Sequence, residues 1–209
     1  MTFDYFNYIV HIRKKYLEYF SKEFPIVDIG CGDGFFIRLL KEQGYSAIGV
    51  DANSSCIKKC KERNIRVFRE DALSYLEQNQ KSFGGIICSH LIEHIPNDHL
   101  NSFIRRCYEA MIQNGILLII TPNINNLGGS ANFWNDPTHI RPFTLSSMQK
   151  LLSKNRFEII RIGYDKDTKL SVRKKLFHFP LDIIRQFLSI IIYGIGGLYT
   201  EIFVIAKKL

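Results

Sequence analysis

Asp28 stands inside a short apolar run, and three glycines follow it at alternate positions, Gly30, Gly32 and Gly34. An amphipathic helical pattern opens immediately afterwards at Phe35. That order describes a buried strand, a turn made almost wholly of backbone, and a helix N-terminus whose free N–H groups favour a polar or anionic ligand group. Glycine is needed where a ligand approaches the main chain closely or where φ turns positive. The spacing is Gly-x-Gly-x-Gly, whereas the dinucleotide fingerprint would place its third glycine at position 35, which is Phe35. The turn therefore fits a nucleoside-type cofactor without a pyrophosphate better than it fits NAD.

Two further acids fall where a cofactor would need them. Asp51 closes a second apolar run about 20 residues beyond the turn, the place from which a carboxylate accepts hydrogen bonds from ribose hydroxyls. Asp71, followed by the small Ala72, is placed to accept from an adenine amino group, and Asp28 to face a ligand ammonium. Each acid taken singly also reads as a solvated carboxylate or a helix cap. The three together, in register with the glycine turn, favour the cofactor reading.

A second constellation carries titratable groups. His90, Glu93 and His94 follow the fourth apolar run, and a helical turn there would put His90 and His94 on one face. Far along the chain, Trp134-Asn-Asp-Pro-Thr-His-Ile-Arg-Pro-Phe143 presents His139 and Arg141 in a loop with two prolines. A histidine poised near neutral pH suits general-base work. Arg141 reads either as a bidentate clamp for a phosphate or carboxylate or as a structural ion pair.

The elements that must position these groups alternate. A helical stripe runs from Phe6 to Phe20, and Pro25 separates it from strand 26–29. Further strands are expected at 47–50, 66–68, 84–88, 116–120, 158–162 and 201–206. Helices are expected from Phe35, from a cap at Ser54 or Ser55 through Lys61, over 98–112 with a stop at Asn114-Gly115, and from Thr144 to about Lys154. This alternation predicts a parallel sheet covered on both faces, with a closing antiparallel strand. No internal repeat or low-complexity linker divides the chain, so one domain over 1–209 is expected.

Composition narrows the setting. With 209 residues and 46% hydrophobic content, the chain supports a full core. The net charge of +8 points to an anionic partner without choosing among nucleic acid, phosphorylated sugar and lipid surface. Five cysteines without a CxxC pair suggest a reducing, cytoplasmic setting, and no signal peptide is expected in residues 1–20. Between the last two strands lies an insert, 166–200, with a basic cluster (Arg173, Lys174, Lys175) and then a Phe-, Leu- and Ile-rich stretch. Its charge-free part, 186–200, is shorter than the ~20 residues that span a bilayer. It reads as a cover helix, as a homodimer surface, or as a peripheral membrane contact through 170–199 on the inner membrane face.

In its ordered motifs the chain resembles the class I S-adenosylmethionine-dependent methyltransferases, in the broad group of ubiquinone-type and saccharide O-methyltransferases. The matching segments are Val27 to Gly34, Gly49-Val-Asp-Ala52, Glu70-Asp-Ala72, Ser89 to Ile95 and Gly115 to Pro122. The resemblance implies a Rossmann-like three-layer α/β sandwich with a seven-stranded, mostly parallel sheet and an antiparallel last strand. It implies S-adenosyl-L-methionine as cofactor. Asp28, Gly30, Cys31, Gly32 and Gly34 would hold its methionine part, with Ser89 or His90 alongside. Asp51 and Ala52 would meet the ribose, and Asp71 with Ala72 the adenine.

The resemblance implies methyl transfer to an oxygen, with a saccharide, phosphosugar, lipid-linked or quinone-type acceptor. Three readings then compete for the histidines. Glu93 and His94 are structural; or His139, with His94 second, is the general base; or a divalent metal sits there, as in relatives with acid-x-x-Glu-His after strand four. Here His90 replaces the first acid, and no metal is assigned. The loop around His139 resembles one in methyltransferases of polysaccharide assembly, where Arg141 and Trp134 would face the acceptor. Other classes remain: a cofactor-binding partner or regulatory subunit without catalysis, or a nucleic-acid enzyme. The last is disfavoured because Ser89-His-Leu-Ile stands where a flipped base would be held. An NAD oxidoreductase is disfavoured by Phe35 and by the lack of an obvious Tyr-x-x-x-Lys pair.

Overall fold

The computed structural model describes residues 5–126, 133–165, 184, 187, 188, 190, 191 and 199–209. Seven apolar runs pair into one sheet: β1 Ile26–Ile29, β2 Ala47–Asp51, β3 Val67–Arg69, β4 Phe83–Ser89, β5 Met111–Pro122, β6 Phe157–Asp165 and β7 Glu201–Lys208. Their order is β3-β2-β1-β4-β5-β7-β6. All run parallel except β7, which lies antiparallel between β5 and β6. The expected Rossmann-like sandwich is therefore the observed fold. β1, β4 and β5 are apolar in continuous runs because helices cover both their faces.

One face is packed by α1 (Tyr5–Arg13) and α2 (Phe35–Glu42), with Cys60 of α3 (Ser54–Glu62). Here Phe6, Phe36, Leu39 and Leu40 meet Ile87, Leu118 and Ile205. The other is packed by α4 (Ala72–Gln78), α5 (Asn97–Ala110) and α6 (Leu145–Lys154), whose Leu76, Phe103 and Leu152 meet Val27, Ile86 and Leu117. The strand order reverses between β1 and β4, which opens a crevice at their carboxyl ends.

Several local expectations are corrected. The N-terminal helix does not run to Phe20: it tightens into a 3₁₀ segment at Lys14–Tyr19, from which Lys15 and Tyr16 both reach the Asp165 carboxylate. α3 is capped by Asn53, whose Oδ1 accepts from Ser55 N at 2.9 Å, and not by Ser54 or Ser55. α4 was not anticipated. α5 ends at Ala110 and not at Ile112, because its terminal carbonyls are taken by the incoming strand: Lys81 N donates to Glu109 O and Ser82 N to Ala110 O. Asn114, with φ of 63°, lies inside β5 where the pairing with β4 shifts register. Thr144 caps α6 in a reciprocal box with Ser147, as expected. The basic cluster of the insert lies outside the described residues.

Candidate functional site

The glycine turn is tied to β2 by Gly30 N and Cys31 N, which both donate to Val50 O at 2.8 and 3.1 Å. Gly32 has φ of +52°, and a Cβ built on it meets nothing within 4 Å; it faces open space. Gly34 has φ of +76°, and its Cβ would lie 2.9 Å from Cys60 Sγ and from Ile65 Cδ1. Gly34 is therefore needed for packing α2 against α3 and the β3 entry, a demand of the missing Cβ that is separate from the backbone role expected of it toward the cofactor. Sequence alone cannot separate these two glycine demands.

Asp28 is buried in β1 just before the turn, and its Oδ1 accepts no hydrogen bond. Burial, then the nearby Asp51 charge, push its carboxyl up to about 8, with Arg13 pulling the other way. A buried carboxylate in this state calls for a cationic partner. It lines a cavity of about 770 Å³ together with Gly30, Cys31, Gly32, Ser89 and His90. Tyr5, Tyr8 and Ile9 of α1 and Phe35 and Phe36 of α2 add an apolar part of the wall.

Gly30 also lines a second cavity of about 280 Å³, which contains Asp51, Ala52, Asp71 and Ala72, with Leu91 and His94. Asp51 Oδ2 accepts from Gly32 N and Oδ1 from Asn53 N, both at 2.8 Å, so the turn itself orients this carboxylate. Asp71 Oδ1 caps α4 by accepting from Leu73 N and Ser74 N at 3.0 Å, so Oδ2 is not used by the cap. Of the eleven cofactor residues expected, ten border one or both cavities. Gly34 borders neither.

The larger cavity is also lined by a charge network of Arg13, His90 and Glu201 that sequence reasoning missed. Arg13 donates to both Glu201 oxygens at 2.7 and 2.8 Å, 188 residues apart in the chain and both buried. Glu201 Oε1 is 2.7 Å from His90 Nε2, and His90 Nδ1 is 3.4 Å from Glu93 Oε1. Burial opposes charge on His90, but the hydrogen bond to Glu201 and the two carboxylate charges outweigh it and raise its pKa to about 9. Burial likewise opposes the Glu201 charge, and the bonds from His90 and Arg13 win, leaving it well below the usual carboxylate range. His90 has φ of +53°, and its ring, 43% exposed, opens into the cavity. It thus points to Glu201, and the expectation that His90 and His94 share a helical face is overturned. The 3₁₀ turn Ile92–His94 separates them. The legible signal was Arg13 itself, a cation within an apolar helical stripe, matched by an acid at the head of an apolar strand.

His94 and His139 do come together, with ring centroids 4.6 Å apart. His94 Nδ1 is 3.1 Å from Thr138 O, and His139 Nδ1 is 2.8 Å from Phe133 O. A carbonyl only accepts, so both Nδ1 atoms carry the proton, and in the neutral rings both Nε2 atoms offer a lone pair. Thr138 Oγ1, 2.9 Å from His94 Nδ1, in turn donates to Asp136 Oδ1. Glu93 is fully buried; its Oε2 accepts from Thr121 and its Oε1 accepts no hydrogen bond. One ligand atom each from Glu93, His94 and His139 lie within 4.8 Å of one another. Arg141 N, with Ile140 N, donates to Glu93 O, while the guanidinium lies 5.7 Å from the Phe143 ring. Trp134 is exposed, edge-on to Phe133. Arg141 and Trp134 border neither cavity.

A crevice at the β1/β4 reversal with a glycine turn, a cation-seeking acid and two further strand-end acids defines a nucleoside-cofactor protein of the Rossmann-like class. Residues 3–162 match the family model described as a methyltransferase domain. Over 122 residues the chain is 31% identical to a ubiquinone biosynthesis O-methyltransferase of Rickettsia bellii, covering 56% of this chain and 49% of that one. The chain thus spans about half the length of the curated relatives it matches. A S-adenosylmethionine-dependent methyltransferase from Archaeoglobus fulgidus superposes with TM-score 0.76 at 29% identity, over 99% of this chain and 100% of that one. A Haloferax volcanii methyltransferase complexed with its Trm112 activator shares the fold at TM-score 0.75 and 11% identity, over 97% and 91%. The chain belongs to the methyltransferase-domain family, and S-adenosyl-L-methionine is its cofactor.

Proposed function

We propose that this protein transfers the methyl group of S-adenosyl-L-methionine to an oxygen of a small acceptor, a saccharide, phosphosugar or lipid-linked molecule of polysaccharide assembly in the cytoplasm. The observation that carries the reading is Asp28. It is a buried carboxylate with an unpartnered oxygen, in a cavity that meets the Asp51–Asp71 cavity at Gly30. Asp28 would take the cofactor ammonium, Asp51 the ribose hydroxyls, and Asp71 Oδ2 with Ala72 the adenine edge. The cofactor supplies an electrophilic methyl on a sulfonium, so the protein's part is to orient the acceptor and remove a proton. His139 Nε2 has the lone pair for that proton, and its Nδ1–H bond to Phe133 O holds the tautomer. His94 stands next to it as the second candidate. Arg141 and Trp134 are assigned to the acceptor on the resemblance of their loop.

The convergence of Glu93, His94 and His139 favours one further reading of the same residues. Glu93, His94 and His139 are donor types that fit a divalent transition metal, with both histidines oriented through Nδ1–H bonds as metal-ligating imidazoles are. A cation there would acidify an acceptor hydroxyl. Incubation with methyl-labelled cofactor and purified acceptor fractions tests the main reading: label in a hydroxyl-bearing saccharide fraction supports it, and label in a quinone-type phenol redirects it. Cofactor binding without any labelled acceptor would favour a non-catalytic partner subunit. Full activity in protein shown to be metal-free ends the cation reading.

A further inference from the structure

The segment joining β6 to β7 leaves the sheet at Asp165 and re-enters at Glu201, which pair with each other at the same end as the cofactor turn. Five of its described residues are helical and exposed: Ile184 57%, Phe187 63%, Leu188 45%, Ile190 41% and Ile191 63%. Positions 184, 187, 188 and 191 follow the i, i+3, i+4, i+7 rule and share one helical face. In the sequence, the polar residues Asp182, Arg185, Gln186 and Ser189 repeat at the complementary positions. A helix packed on its own core turns such an apolar stripe inward. Here the stripe faces solvent, which marks a docking surface.

Charge selects the occupant. Residues 166–185 carry six cations (Lys166, Lys169, Arg173, Lys174, Lys175 and Arg185) against two acids, half of the chain's net charge of +8. The charge-free stretch that follows, 186–200, is too short to span a bilayer at ~20 residues, and no described helix is long and apolar enough to cross one. A basic segment followed by an outward apolar stripe is the pattern of a helix lying in a lipid headgroup layer. A second copy of this chain, itself cationic in the same segment, would bring like charges together.

We propose that this segment docks on an anionic phospholipid surface, with Ile184, Phe187, Leu188 and Ile191 inserted at the acyl boundary and the 166–175 cations on the headgroups. The docking stands whatever the acceptor proves to be.

Flotation of the full chain with vesicles tests it. The protein is expected to float with phosphatidylglycerol-containing vesicles and not with phosphatidylcholine alone, and raised salt is expected to release it. Arg173→Gln, Lys174→Gln and Lys175→Gln together should lower partitioning about a hundredfold, at roughly fivefold per charge. Phe187→Glu with Ile191→Glu should abolish flotation while leaving the circular-dichroism spectrum and cofactor affinity unchanged. Protein that stays soluble with both vesicle types overturns the proposal. So does equal binding to both types, or a vesicle-free dimer that Phe187→Glu dissociates.

Discussion

Asp28 makes the sharpest prediction, because its environment sets two pH limbs. Burial and the Asp51 charge raise its carboxyl to about 8, so at neutral pH the empty site holds it mostly protonated. Pairing with the cofactor ammonium requires it to ionise. Below pH 8 the affinity should therefore fall about tenfold for each unit of acidification, with close to one proton released per cofactor bound at pH 7. Above about pH 8 the cofactor α-amino group loses its own proton, so affinity peaks near pH 8. The sign for stability is the reverse. A carboxyl raised from 3.8 to about 8 destabilises the fold increasingly as pH rises through that window, by up to about 4 kcal/mol at pH 7. Asp28→Asn should thus raise the melting temperature of the empty protein at pH 7. It should also weaken cofactor binding by roughly 2–4 kcal/mol, and its remaining affinity should no longer fall below pH 8. Isothermal titration calorimetry from pH 6 to 9, in two buffers of different ionisation enthalpy, reads affinity and proton release together. A wild-type affinity that is flat between pH 6 and 7.5, or an Asp28→Asn protein that binds like wild type, refutes the reasoning.

Breaking the buried Arg13–Glu201 pair with Arg13→Met should cost about 3–5 kcal/mol by leaving Glu201 buried with one partner fewer, read as a drop of about 10 °C in calorimetric melting. Gly34→Ala should lower stability by about 1–3 kcal/mol because its Cβ strikes Cys60 and Ile65. Gly32→Ala, with open space around it, should fold with a smaller loss and lose cofactor affinity instead; thermal melting beside titration separates the two. His139→Ala should reduce turnover about 10²–10⁴-fold while cofactor binding survives, and equal loss of both would show that the loop is structural.

The strands and the cofactor turn were legible because their demands are local. A Gly-x-Gly-x-Gly turn after an apolar run ending near Asp28, and acids at the ends of β2 and just past β3, declare the site from backbone geometry and donor type alone. The packing role of Gly34 was not legible, because a positive φ looks the same in sequence whether a ligand or Cys60 crowds the missing Cβ. The end of α5 was misplaced because the Lys81 and Ser82 amides just before β4, not a local cap, take its carbonyls. His90 lines the same cavity as Asp28, but its neighbours were not legible. Its partner Glu201 is 111 residues away, and Glu201 is itself 188 residues from Arg13, distances over which no periodicity speaks. His94 and His139 were each singled out, but only the structure brings their rings together with Glu93.

The central claim is that the crevice over Gly30 is built for S-adenosyl-L-methionine. Calorimetric titration of the unmodified protein with S-adenosyl-L-methionine and, separately, with NAD tests it most directly. Binding of one S-adenosyl-L-methionine per chain, with no heat from NAD, is the predicted result. Binding of NAD without S-adenosyl-L-methionine would contradict it.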